Sequence, residues 1–131
     1  MVAVDTNVLV RFIVDDDPAQ CKRAKALIQR CIRDSNRIFI SDVVVCETVW
    51  VLERAYRLSK DEVARVLGEL LSSIETAFEE PENFQKALEL YESKKGDFAD
   101  YLILSKASEA GCSALYTFDE KLLEEDLAKR P

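Results

Sequence analysis

Four short apolar runs recur along this chain, and the segments between them are spaced like helices. Val2-Ala3-Val4 comes first and Ile38-Phe39-Ile40 second. The third runs from Ile74 to Phe78, with Ile74, Thr76 and Phe78 alternating, and the fourth from Ala114 to Phe118. Such β-branched and aromatic runs favour strands. Successive parallel strands must be joined by a crossover of a dozen or more residues, usually a helix. The alternation therefore predicts an α/β chain with a central parallel sheet flanked by helices on both faces. Its 131 residues suit one domain, residues 1–131.

Local signals place the helices. Thr6 or Asn7 can cap a short helix carrying Val8, Leu9, Phe12 and Ile13. Asp15-Asp16-Asp17-Pro18 is a helix start, followed by a stripe of Cys21, Ala24, Leu27, Ile28, Cys31 and Ile32. Ser41 and Asp42 cap a helix through about Tyr56. Ser59-Lys60-Asp61-Glu62 is a capping box before Val63, Val66, Leu67, Leu70 and Leu71. Glu80-Pro81-Glu82 opens a helix that Gly96 ends. Asp97 opens the next, which Gly111 stops, and a last helix is expected over 119–129. Only three glycines and three prolines fit a helix-rich chain. No run reaches the roughly 20 apolar residues of a membrane span, and no secretory signal is evident. Four cysteines without a C-x-x-C pair, and no histidine, argue against a zinc site. They read as reduced thiols of a cytoplasmic protein, Cys46 and Cys112 as small core residues.

Acids sit where a carboxylate is awkward. Asp5 and Asp119 end apolar runs, at the carboxyl ends of expected parallel strands where sites form. Asp97 and Asp100 share one face of a helix start. Glu47 has Val43, Val44, Trp50 and Val51 as helical neighbours and is expected to point inward. A buried carboxylate is costly without a counter-charge. With no histidine, a hard divalent ion on oxygen ligands is the leading candidate, and it points to metal-assisted chemistry on phosphate. Plainer readings stand beside this one. Asp5, Asp97 and Asp119 could be simple caps, and Glu47 could pair with Arg11. Arg11 could equally be a surface charge or a phosphate contact. Asp15 to Asp17 read as a solvated helix start, Trp50 and Phe12 as core, and Glu124-Glu125-Asp126 as an exposed helix face. The net charge of −7 disfavours a broad basic surface but leaves room for a local one.

Met1-Val2-Ala3-Val4-Asp5-Thr6-Asn7-Val8-Leu9-Val10-Arg11 resembles the opening of PIN-domain ribonucleases, in particular the VapC-type toxins. Glu47 to Leu52, Asp97 to Ile103 and Thr117-Phe118-Asp119 resemble that family's later acidic motifs, in order. The resemblance implies a PIN fold, Mg²⁺ or Mn²⁺ in an acidic pocket, endonucleolytic RNA cleavage, a homodimer and a cognate antitoxin. It casts Asp5, Glu47 and Asp100 as central acids and Asp119 as a fourth. Asp97 becomes an extra or water-mediated ligand, with Thr6, Asn7 and Thr117 orienting the acids. The family's final strand is not evident in the sequence. Competing readings are a non-catalytic PIN-like binding module and a receiver-like signalling domain. The receiver needs an aspartate after the third strand, where Glu79-Glu80-Pro81 stands instead.

Overall fold

The computed structural model describes residues 1–131, which divide into two compact units, Met1–Pro81 and Glu82–Pro131. The first holds β1 (Val2–Ala3), α1 (Thr6–Ile13), α2 (Pro18–Arg33), β2 (Ile38–Ile40), α3 (Asp42–Arg54), α4 (Lys60–Ser72) and β3 (Thr76–Phe78). Its three strands form a parallel sheet with β2 in the middle. Val2 pairs with Ile38, and Ile38 with Thr76. Two helices make each crossover, so the α/β expectation holds in this unit.

Most helix starts follow the sequence, but the cap of α1 is Asp5 rather than Thr6 or Asn7, and Thr6 is the first helical residue. Asp5 caps α1 by accepting the Val8 N–H, and Asp17 caps α2 by accepting that of Gln20, with Pro18 in the first turn. Ser41 caps α3, and Ser59 and Glu62 close a full capping box on α4. Each such cap contributes about 1 kcal/mol. The core gathers Val4, Leu9 and Val10 with Cys21, Ile38, Ile40, Val49, Leu52, Val63 and Leu67.

Several expectations fail here. Helix α3 is apolar on most of its circumference, so periodicity does not select its buried face. The buried stripe is Val45, Thr48, Val49 and Leu52. Val43, Glu47 and Trp50 lie on the other side, and Trp50 is 62% exposed. Glu47 thus faces outward, not inward. Phe12 is only half-buried. The buried cysteines are Cys21 and Cys31, whereas Cys46 is half-exposed and Cys112 exposed. Strand β3 begins at Thr76, leaving Ile74 exposed.

The second unit holds α5 (Pro81–Ser93), α6 (Phe98–Glu109), β4 (Leu115–Tyr116), a 3₁₀ turn (Leu122–Glu124) and β5 (Ala128–Lys129). Phe98 stands edge-on to Phe84 and Tyr91, with ring centroids 5.6 and 5.9 Å away. Between α5 and α6, buried Asn83 accepts from the Ser105 hydroxyl at 2.7 Å and donates to Glu109. The expected last helix is replaced by the single 3₁₀ turn and a strand. β5 pairs in parallel with β4, Leu115 opposite Ala128 and Tyr116 opposite Lys129. A final strand therefore exists. Pairing with the edge of β4 overrides the helical propensity of Leu122 to Asp126. Glu124-Glu125-Asp126 is no helix face, and Glu125 is partly buried against Lys94.

Candidate functional site

In the first unit the chain leaves β1 through buried Val4 and turns into α1 at Asp5. The Asp5 Oδ1 accepts the Val8 N–H at 3.0 Å, and no protein donor reaches its Oδ2. The cap reading of Asp5 is therefore correct, but it uses one oxygen only. Thr6 is half-exposed and Asn7 exposed beside it. Glu47 stands exposed on α3 one residue before Thr48, whose buried hydroxyl has no partner. Arg11 does not pair with Glu47. It bonds Asp16, Gln20 and the Tyr56 hydroxyl, at 3.1, 2.8 and 2.9 Å, and that hydroxyl also donates to Asp16. The hydrogen bond from Tyr56 and the charge of Arg11 hold the Asp16 carboxyl below its ordinary range. The Tyr56 hydroxyl is pushed up, first by its bond to Asp16 and then by burial. The expected solvated run of acids is thus partly a structural tie.

In the second unit Asp97 stands at the N-cap of α6 yet makes no side-chain cap bond. Neither of its oxygens accepts a helix N–H, so the side-chain cap reading fails there. Asp100 follows in the first turn and is half-buried. Its carboxyl is pushed up, first by burial, then by the negative charges of Asp119 and Asp97, with Lys121 opposing. Asp119 follows β4 through Thr117 and Phe118. Its Oδ1 accepts the N–H groups of Lys121 and Leu122, both at 2.9 Å, which leaves Oδ2 unoccupied. The Thr117 hydroxyl accepts the Asp119 N–H at 3.0 Å and so fixes the aspartate's backbone.

The burial argument applies to Asp100 alone, since Asp5, Glu47, Asp97 and Asp119 are exposed. What the second unit gathers is two like charges, Asp119 and Asp97, around one half-buried carboxyl, Asp100, opposed by one lysine. No three acidic side chains close tightly on a single point. The donor chemistry still fits a hard divalent cation, because every candidate ligand is a carboxylate oxygen and Asp100 lacks a sufficient counter-charge. Sequence reasoning missed Lys121, whose only signal was its place two residues after Asp119.

The PIN domain sequence profile matches residues 2–126. Over 121 residues the chain is 22% identical to a VapC ribonuclease of Aquifex aeolicus (strain VF5), covering 92% of this chain and 89% of that one. Among solved structures it is similar to VapC20 of Mycobacterium tuberculosis, a sarcin-ricin loop cleaving toxin. That similarity covers the whole of both chains at 19% identity and a TM-score of 0.43. The profile match runs through both units and takes in all five acids, so this chain belongs to the PIN-domain family.

Proposed function

We propose that this chain is a metal-dependent endoribonuclease of the VapC toxin type, its two units working as one domain. The observation that carries the reading is Asp100, half-buried and raised by Asp119 and Asp97 with only Lys121 in opposition. A group held that way gains from a cation. Asp5, Asp97, Asp100 and Asp119 are the proposed ligands of Mg²⁺ or Mn²⁺. Asp5, Glu47, Asp100 and Asp119 are the proposed catalytic acids. A bound ion would lower the pKa of a water molecule and stabilise charge on the phosphodiester.

The chain's own groups prepare that site. The Val8, Lys121 and Leu122 N–H groups fix Asp5 and Asp119 through Oδ1 and leave Oδ2 for a ligand. Thr117 holds the Asp119 backbone, and Thr6 and Asn7 are proposed to orient the acids of the first unit. A chain without histidine has no imidazole to activate an RNA 2′-hydroxyl. Hydrolysis leaving 5′-phosphate and 3′-hydroxyl ends is therefore the expected outcome. The same reading includes a homodimer, a cytoplasmic setting and inhibition by a cognate antitoxin.

RNA cleavage by the purified chain in Mg²⁺, Mn²⁺ and EDTA tests it, with Asp5→Asn and Asp100→Asn alongside. Metal-dependent cutting that both variants lack is expected. Cutting that persists in EDTA, or 2′,3′-cyclic phosphate ends, would overturn the mechanism.

A further inference from the structure

We propose that the groove between α1 and α2 seats the phosphate backbone of single-stranded RNA, with Arg23 and Arg30 as its grip. This rests on the ribonuclease reading above and names where such a substrate lies. The groove measures about 550 Å³, and Asn7, Val8 and Arg11 of α1 face Gln20, Arg23 and Arg30 of α2 across it. Three arginines line one groove in a chain of net charge −7.

The charge is concentrated. Helix α2 carries five of the chain's 18 basic residues and none of its 25 acidic ones. Of these, Lys25 is matched by Asp15 at 3.5 Å and Arg33 by Asp34, as Arg11 of α1 is by Asp16. Arg23 and Arg30 are exposed and have no acidic partner. They lie seven residues apart, two turns along one face and roughly 10 Å along the axis. Their planar guanidinium groups suit bidentate phosphate contacts. The groove's other end is tied to the proposed chemistry, because Val8 lines it and donates its N–H to Asp5. A strand lying over Arg23 and Arg30 would pass beside Val8, whose N–H Asp5 accepts. The charge complementarity favours a polyanion, and the separation of the two free arginines suits phosphates along a strand.

Anisotropy binding of a short single-stranded RNA, over a salt series in EDTA, tests the assignment. The parent for binding is Asp100→Asn, with wild-type cleavage assayed in parallel. Neutralising two phosphate contacts should make the slope of log K against log salt shallower by about 1.4. The Arg23→Gln/Arg30→Gln pair should show that loss and cut more slowly, with an unchanged melting curve. An Arg23→Lys/Arg30→Lys pair should keep the slope. Lys22→Ala/Lys25→Ala, on residues lining a different hollow, should also keep it. If wild type cuts RNA while the Gln pair binds with the parent's slope, the groove is refuted and the nuclease stands. Equal loss in the Lys22/Lys25 pair would likewise refute it, as would a poly-glutamate peptide that needs both arginines when RNA does not. If the chain neither binds nor cuts RNA, both readings fall.

Discussion

Gly96→Ala should be among the most damaging single-methyl additions this chain can receive. Gly96 is buried before α6, and its N–H donates to the Tyr101 hydroxyl at 2.7 Å. A Cβ at position 96 would lie 2.5 Å from the Tyr101 Oη and 2.7 Å from its Cζ. Tyr101 is fully buried, so its ring cannot swing aside without opening the core around Phe98 and Leu102. Overpacking of this kind costs about 1–3 kcal/mol, and loss of the Gly96 hydrogen bond adds roughly 1 kcal/mol. For a chain of this length each kcal/mol moves Tm by about 3–4 °C, so a fall of roughly 6–16 °C is expected. Thermal melts read it directly. Gly68→Ala is the internal control. It lies within α4 with nothing within 4 Å of the added methyl, and should gain about 0.5–1 kcal/mol. Combining Gly96→Ala with Tyr101→Phe should rescue only partly, because the ring carbon still clashes. A Gly96→Ala protein melting within about 2 °C of wild type would refute the packing argument.

Two further tests concern the first unit. Asp16 is held below its unfolded value, so its contribution is present above about pH 4 and lost as pH falls through the folded value. Tyr56 is held above its unfolded value, so its share is full below about pH 10 and lost as pH rises through the folded one. Urea midpoints should therefore separate wild type from Tyr56→Phe most widely near neutrality, and converge towards pH 3 and pH 11; a constant gap would count against the tie. On α3, Leu52→Ala should cost about 2–5 kcal/mol, because Leu52 is fully buried. Trp50→Ala should stay within about 0.5 kcal/mol, and a loss as large as that at Leu52 in a denaturant melt would reverse the assigned face.

Much of the first unit is legible because its signals are local. Asp17-Pro18 and the Ser59–Glu62 box act within one turn, and the structure uses both as helix starts. The three strands of the parallel sheet announce themselves by β-branched residues. What fails depends on partners distant in sequence. Strand β5 is two residues long and forms only because β4 offers an edge. The outward face of Glu47 is decided by which side of α3 the core covers. Arg11 finds Asp16 and Tyr56, and Tyr56 lies 45 positions further along. The acids themselves were legible as residues, but their state was not. Asp97 is a cap by position that does not cap, and Asp100 alone is desolvated.

Asp5 and Asp119 each spend one oxygen on the backbone that follows and keep the other unclaimed. On the proposed function, a single side chain thus serves as both rivet and tool. An asparagine at either position keeps an amide oxygen for the rivet, since Asn caps helices about as well as Asp, and surrenders the charge. An alanine surrenders both. If the proposed site holds, inactive chains that are still correctly folded are one isosteric exchange away at these two positions, and loss of activity need not be accompanied by loss of shape.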